Sequence, residues 1–188
     1  MSLLVLGLVL FLGVHSVSIV APAWRDAQAA RNEKAWKGIY TLVSLAGFAL
    51  LVYGYGVARQ TPVVVYAPPT WTRHLALLLM VPVFPLLLAA YLPGRIKTVT
   101  KHPMLVATKL WAVAHLLANG NLADLLLFGG FLAWAVADRI SLKRRAVRAI
   151  PGAPPGPAND AIAIVGGLAL YGLFVWRAHL WLIGVSPL

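Results

Sequence analysis

Residues 101–120 read KHPMLVATKLWAVAHLLANG, an apolar run of membrane-spanning length that nevertheless carries two lysines and two histidines. A charged side chain at the middle of a bilayer costs about 2.5–3.5 kcal/mol on insertion scales, so ionisable residues persist there mainly where they are paired, hydrated or functional. Lys109 and His115 lie in this interior. We expect Lys109 to reach the membrane interface or to pair with Asp124 or Asp138. The stretch indicates a membrane fold and also where chemistry is expected.

The composition of the whole chain supports a membrane protein. Of its 188 residues, 61% are hydrophobic and only 11% are charged, which lies outside the range of soluble domains. Each longer polar stretch is shorter than an independently folding unit, so we expect a single integral membrane domain over residues 1–188. The chain has no cysteine, which excludes disulfides, thiolate-bound haem, iron–sulfur clusters and cysteine-based zinc sites. Histidine remains the natural ligand for a metal.

Six apolar runs reach or approach the length of about 20 residues that is needed to cross the bilayer core. They predict an all-α, polytopic membrane bundle of about six transmembrane helices. The runs lie at residues 3–20, 38–57, 74–92, 103–118, 122–137 and 161–183. Pro82 and Pro85 are expected to kink the third helix, because proline removes a helical hydrogen bond. Before the sixth helix, residues 151–157 read as an extended linker, with Asn159 or Asp160 as the cap of the helix.

Basic residues are distributed unevenly among the loops. Four follow the first apolar run, three the third and five the fifth, so 12 of the 16 Lys and Arg residues lie on one side. The positive-inside rule places that side in the cytoplasm and both termini on the opposite face. The net charge of +11 sits in short loops beside apolar runs. This placement favours anionic lipid headgroups of the bilayer over nucleic acid as the partner.

Helical periodicity separates the two histidines of the opening stretch. A spacing of thirteen residues puts His102 and His115 about 140° apart on one helix, so they cannot both face one metal. Because Pro103 suits the first position of a helix, His102 is predicted to be the N-cap, with a reserve role as a ligand. The face of His115 carries small or polar side chains, beside which a flat macrocycle could lie, namely Thr108, Ala112 and Asn119.

A second ligand would have to come from another helix. His15 is the best placed, because it lies in an uncharged part of the first apolar run. His74 sits at a helix end, and His179 lies among aromatic and basic residues that are typical of a membrane interface. Haem binding, a set of hydrogen-bonded structural histidines and a proton relay all remain open from the residues alone.

Three motifs link the chain to a known family. They are the His-Ser pair at residues 15–16, the block KHPMLVATKLWAVAHLLANGNLADLLLFGGFLAWAV at residues 101–136, and DRISLKRR at residues 138–145. With these motifs the chain resembles the NnrU family of bacterial membrane proteins over most of its length. That family is associated by name with nitrite and nitric oxide reduction in denitrifying bacteria. The resemblance implies a multi-pass protein of the bacterial inner (cytoplasmic) membrane, in which the positive-inside rule predicts both termini on the periplasmic side.

The NnrU family is similar to the plant and cyanobacterial 15-cis-zeta-carotene isomerase, an integral membrane enzyme whose haem b carries the chemistry. The resemblance implies haem b here, with iron ligands His15 in the first helix and His115 in the Trp-Ala-Val-Ala-His motif of residues 111–115. Ala112 stands where the enzyme has a cysteine, so a cysteine-linked change of ligand is not available. Three neighbours are expected to orient the imidazoles or brace the macrocycle, namely Thr108, Trp111 and Asn119.

Three functions fit these residues. The first is a haem b-binding inner-membrane protein with a redox or isomerase-like role, linked by the resemblance to nitrite and nitric oxide metabolism. The second is a cofactor-free accessory or assembly factor whose respiratory partner is a membrane nitrogen-oxide reductase. The third is a haem-dependent cis–trans isomerase that acts on an apolar 15-cis polyene such as a carotenoid. None of these assigns a catalytic residue.

Overall fold

The computed structural model describes residues 1–146, 148 and 151–188, and across them the chain is all-helical, as predicted. Val147, which lies within the cationic run after the fifth apolar segment, falls outside the described residues. The helices are α1 (Ser2–Val20), α2 (Pro22–Arg31), α3 (Glu33–Ala58), α4 (Thr72–Met80), α5 (Val83–Ala89), α6 (Arg95–Thr100), α7 (Pro103–Ala118), α8 (Leu122–Ser141), α9 (Asn159–Leu173) and α10 (His179–Ile183). A π-helical segment, Phe174–Ala178, joins α9 to α10.

Four helical stretches among the described residues are long and apolar enough to cross a membrane: Ser2–Val20, Glu33–Ala58, Thr72–Ala89 and Asn159–Ile183. Helix α7 is a shorter apolar helix, and α8 carries three charged residues, Asp124, Asp138 and Arg139. A polytopic membrane protein is therefore supported, whereas the count of about six spans stays a prediction.

Helix boundaries agree with the sequence best where proline or glycine marks them. Helix α7 begins at Pro103 and ends at Ala118, as predicted, and His102 is its N-cap residue, although the His102 side chain makes no capping hydrogen bond. The third apolar run forms α4 and α5, which are separated by Val81 and Pro82.

The prediction that Asn159 or Asp160 caps the last long helix is wrong. Helix α9 begins at Asn159 without a side-chain cap. The Asp160 carboxylate instead accepts hydrogen bonds from the backbone N–H groups of Arg95 and Ile96 (2.8 and 3.1 Å), at the start of α6. The side-chain amide of Asn159 donates to the carbonyl oxygen of Pro93 (2.8 Å). Both side chains therefore tie α9 to the segment around α6.

The chain divides into two compact units. Unit 1 comprises residues 1–67 and 120–146, and so contains α1, α2, α3 and α8. Unit 2 comprises residues 68–119 and the described part of 147–188, which contain the remaining helices. The single-domain prediction stays a prediction.

In unit 1, helices α1 and α3 pack at very short range because glycines line their contact. A Cβ atom added at Gly7 would overlap the backbone of Leu51, and one added at Gly54 would overlap the backbone of Leu4. Gly47 makes a similar approach to α1. Small residues allow such backbone contact between membrane helices, where van der Waals packing replaces the hydrophobic effect as the driving force.

Two aspartates of α8 bind polar groups of unit 1. The Tyr55 hydroxyl donates to the Asp124 carboxylate (2.6 Å), and Asp124 also accepts from the backbone N–H of Asn121 (3.1 Å), at the start of α8. The Arg145 guanidinium pairs with Asp138 and donates to the carbonyl oxygen of Ser18 (2.7 Å). Both aspartates considered as partners of Lys109 thus have partners within their own unit, and the pairing of Lys109 stays a prediction.

An extended stretch after α3 pairs with the turn before α8, also within unit 1. The backbone N–H groups of Val65 and Tyr66 both donate to the Gly120 carbonyl (2.9 and 3.1 Å), and the Leu122 N–H donates to the Val63 carbonyl (2.8 Å). A Cβ atom at Gly120 would collide with the Tyr66 carbonyl. Glycine is therefore required at this turn by the close approach of another backbone.

In unit 2, helix α5 packs against both α7 and α9. Its buried residues Val83 and Leu86 form a cluster with Ala107 of α7. Gly167 of α9 lies so close to Pro85 that a Cβ atom would overlap it. These contacts hold α7, which carries His115, within a packed helical layer.

Candidate functional site

His15 lies on α1 in unit 1, with its ring oriented by its own helix. Its Nδ1 atom lies 2.6 Å from the carbonyl oxygen of Phe11, one turn earlier. Since a carbonyl can only accept a hydrogen bond, Nδ1 carries the proton, and a neutral imidazole in this tautomer has its lone pair on Nε2. The backbone thus selects the tautomer in which Nε2 can bind a metal.

Aromatic rings of unit 1 surround this imidazole. The ring centroids of Phe11, Tyr40 and Trp134 lie 4.3, 5.2 and 6.0 Å from that of His15. The indole N–H of Trp134 is buried and has no hydrogen-bond partner among the described residues. His15 is therefore half-buried in an apolar enclosure with a spare hydrogen-bond donor nearby.

His115 lies on α7 in unit 2, and its local geometry repeats that of His15. Its Nδ1 atom lies 2.8 Å from the carbonyl oxygen of Trp111, again one turn earlier, which selects the same tautomer. Its own carbonyl accepts the backbone N–H and the side-chain amide of Asn119, both at 2.9 Å. Ala112 and Ala114 beside it are fully buried, so small side chains pack this part of α7 into the unit.

The three expected neighbours of His115 act differently from one another. Trp111 orients the imidazole through its main-chain carbonyl, and its indole centroid lies 5.3 Å from the imidazole centroid. Asn119 binds the backbone of His115, while the Thr108 hydroxyl donates to the Met104 carbonyl within α7 (2.9 Å).

The structure brings a second imidazole to His115 within unit 2. The ring centroids of His115 and His179 are 6.4 Å apart, and the ring planes are inclined by 25°. The Nδ1 atom of His179 lies 2.7 Å from the Val185 carbonyl, so this ring has the same tautomer again. Sequence reasoning missed this neighbour, because a contact between residues so far apart in the chain leaves no local pattern.

The remaining histidines do not extend this pair into a larger cluster. His74 is exposed at the start of α4, and His102 is half-buried at the N-cap of α7. The described residues contain no group of three or more His, Cys, Asp or Glu side chains that could hold a metal ion. A haem iron needs only one or two axial protein ligands, so one or two imidazoles suffice for such a site.

Comparison with known proteins identifies the family. The family model described as NnrU protein matches residues 3–187, nearly the whole chain. Searches among the curated proteins and among the solved structures gave no match. The chain belongs to the NnrU family, which confirms the resemblance of its motifs.

Proposed function

We propose that this NnrU family member is an integral membrane protein that binds haem b, with His115 and His15 as the candidate iron ligands. The observation that carries the proposal is the hydrogen bond that each ring makes to the backbone of its own helix. The Nδ1 atoms of His15 and His115 each lie within hydrogen-bond distance of the carbonyl four residues earlier. Metal-binding histidines commonly use this arrangement, because it fixes the ring and raises the basicity of the nitrogen that binds the metal.

The chemistry of the available donors fits haem b. The chain has no cysteine, and imidazole is a common axial ligand of haem iron. When bound, haem b would supply an iron centre capable of one-electron transfer or Lewis-acid chemistry. The residues of the chain would hold the proton on Nδ1, present Nε2 to the iron, and exclude water with the aromatic rings around His15. A redox or isomerase-like role, in nitrite or nitric oxide metabolism, is part of the same proposal.

The proposal is tested by purifying the protein in mild detergent, after expression with a supply of haem, and recording the reduced-minus-oxidised spectrum. We expect a Soret band and an α-band in the wild type, and loss of haem from His115→Ala. His74→Ala is the matched control, since His74 is exposed and distant in sequence from both candidate ligands. A wild-type protein with no Soret band would contradict the proposal.

The proposed setting is the bacterial inner membrane, with about six crossings, a bend of the third helix at Pro82 and Pro85, and both termini in the periplasm. The uneven distribution of basic residues supports this orientation. Because the chain lacks cysteine, single cysteines can be introduced at exposed positions and treated with a membrane-impermeant maleimide. Ser186→Cys should react in intact spheroplasts, whereas Lys143→Cys should react only after permeabilisation. The reverse pattern would invert the topology.

A further inference from the structure

We infer that unit 1 binds a carboxylate group of the haem beside His15. The hydrogen-bond donors are three buried side chains, Ser44, Trp134 and Arg145. The inference rests on the proposed function, because it concerns the same cofactor, and it assigns a role to residues that do not ligate the iron. It is supported by the absence of protein acceptors for these donors and by their common location in unit 1.

The three side chains have in common a buried polar atom without a partner. Among the described residues, Ser44 Oγ, Trp134 Nε1 and Arg145 Nε are buried and make no hydrogen bond. The indole and guanidinium N–H groups can only donate, and the serine hydroxyl can donate as well. Unpaired buried polar groups destabilise a fold and are rare in native proteins. A bound acceptor that is not part of the chain would satisfy all three.

Two of these donors lie at the level of His15. The ring centroid of Trp134, on α8, is 6.0 Å from that of His15. On α3, the Tyr40 ring contacts His15 (5.2 Å between centroids), and Phe48 also packs against α1. Ser44 is four residues from both Tyr40 and Phe48, so all three share one face of α3. Trp134 and Ser44 therefore approach His15 from two neighbouring helices.

Arg145 brings a positive charge to the same part of unit 1. Its guanidinium donates to the carbonyl oxygen of Ser18 (2.7 Å), three residues after His15 on α1. It also pairs with Asp138, one turn after Trp134 on α8, and its side chain is only 13% exposed. These contacts leave Nε without a partner. A carboxylate matches this set of donors, because hydrogen bonds between a guanidinium or N–H group and an ionised oxygen are the strong ones.

Ser44 differs from other hydroxyl residues on the apolar helices. The hydroxyls of Ser16 and Thr108 each donate to the carbonyl four residues earlier, which satisfies a hydroxyl within its own helix. Ser44 Oγ makes no such bond. The Tyr40 side chain interacts with Ser44, but without the geometry of a hydrogen bond to Ser44 Oγ. The Ser44 hydroxyl is thus available to a ligand.

A haem has the chemistry that these donors require. Its carboxylate side chains lie on one edge of an otherwise apolar macrocycle, and burial of an unpaired carboxylate is costly. If His15 binds the iron as proposed, that edge needs donors within reach of His15. Trp134, Ser44 and Arg145 meet this need and would determine which way the macrocycle is turned. A fatty acid is another apolar molecule with a carboxylate, and the experiment separates the two.

The experiment titrates the full-length protein, purified in mild detergent without bound haem, with hemin and with hemin dimethyl ester, whose carboxylates are blocked. The Soret band reports binding. The wild type should bind hemin at least about tenfold more tightly than the ester. Trp134→Phe and Ser44→Ala should each weaken hemin binding about tenfold and leave ester binding unchanged. Ser16→Ala is the matched control and should bind like the wild type, because the Ser16 hydroxyl is satisfied within α1.

The two ligands also distinguish the inference from the proposed function. A wild type that binds neither hemin nor its ester would overturn both. Equal binding of the two ligands, with hemin binding unchanged in Trp134→Phe and Ser44→Ala, would overturn the inference alone. Binding of oleate that is lost in these variants, with equal binding of hemin and ester, would assign the carboxylate to a fatty acid and overturn the haem assignment.

Folding of the variants is checked by the same titration. A variant that still binds the ester has kept its haem site, so a selective loss of hemin affinity cannot come from unfolding. Ser44→Ala removes only the hydroxyl oxygen, and it decides the test if Trp134→Phe does not fold.

Discussion

His15 and His115 make the same hydrogen bond but have different neighbours. Each ring donates through Nδ1 to the carbonyl one turn earlier on its own helix. Around His15 the neighbours are aromatic rings of unit 1, whereas His115 has another imidazole at 6.4 Å in unit 2. A helix can therefore orient a histidine ring by local geometry alone. Which histidines lie close to one another depends on contacts between segments that are distant in sequence.

The units that hold the two histidines also differ in how they are stabilised. Unit 1 combines glycine-mediated contact between α1 and α3 with polar pairs at Asp124 and Asp138. Substitutions that remove these contacts should therefore lower the stability of unit 1.

The largest effect is expected from Asp138→Ala. This substitution leaves the largely buried guanidinium of Arg145 without its carboxylate, and removal of one partner of a buried ion pair costs about 3–5 kcal/mol. Asp26→Ala is the matched control, because its pair with Arg25 is exposed (56% for the Asp26 side chain) and exposed pairs contribute about 0–1 kcal/mol. The measurement is thermal unfolding in detergent. Equal effects of the two substitutions would contradict the structural role of the buried pair.

Gly54→Ala should come next, with a loss of about 3 kcal/mol, near the upper end of typical overpacking. The added methyl group would overlap the backbone of Leu4, which a rotamer change cannot relieve. Gly56→Ala, two residues along α3, meets no atom within 4 Å and should leave stability unchanged or slightly raised. Thermal unfolding in detergent again compares the two variants, Gly54→Ala and Gly56→Ala. A tolerated alanine at position 54 would show that α1 and α3 are not in backbone contact.

Tyr55→Phe should cost about 1.5–3 kcal/mol, the contribution of a hydrogen bond to a charged group. It removes the hydroxyl that donates to Asp124 (2.6 Å) and leaves the ring in place. Tyr53→Phe serves as the control, since that side chain is 65% exposed. Unfolding of both variants should show a drop in the apparent Tm for Tyr55→Phe only. A similar drop in both variants would contradict a specific contribution of the hydrogen bond between Tyr55 and Asp124.

Trp134→Phe should have the smallest effect, below about 1 kcal/mol, because an aromatic contact with His15 is retained. The indole N–H that is lost has no hydrogen-bond partner among the described residues, so its removal carries no hydrogen-bond penalty. The ferric haem spectrum is the more informative measurement. A spectrum that is shifted from the wild type would support a position of His15 near the iron, and an unchanged spectrum would count against His15 as a ligand.

The sequence predicted best those features that depend on neighbouring residues. Pro103 at the start and Asn119–Gly120 after the end defined α7 to the residue, because both signals act through local backbone conformation. The loops predicted after the first and third apolar runs contain α2 and α6, which the sequence did not predict. Neither helix has a buried residue, so no buried apolar face marks it in the sequence.

The features that the sequence did not predict depend on contacts between distant segments. Asp160 resembled the cap of its own helix, because capping residues lie next to the helix they cap. Its carboxylate instead reaches α6. Likewise, the aromatic and basic neighbours of His179 suggested a membrane-interface residue, and nothing near it in sequence indicated the contact with His115. The hydrogen bonds that orient His15 and His115 are local, whereas the contact between His115 and His179 depends on the fold.

The contact at Gly120 determines the order in which the parts of unit 1 can fold during synthesis. Its carbonyl binds Val65 and Tyr66, yet the ribosome makes those residues well before Gly120. At synthesis rates of about 5–20 residues per second, the intervening stretch takes about 3–11 s to appear. During that interval α1 and α3 can already pack against each other through their glycines. The backbone groups of Val63, Val65 and Tyr66, in contrast, still lack their partners at Gly120 and Leu122. Unit 1 is therefore completed only after α8 has been synthesised, because the start of α8 supplies the last backbone partners of the segment after α3.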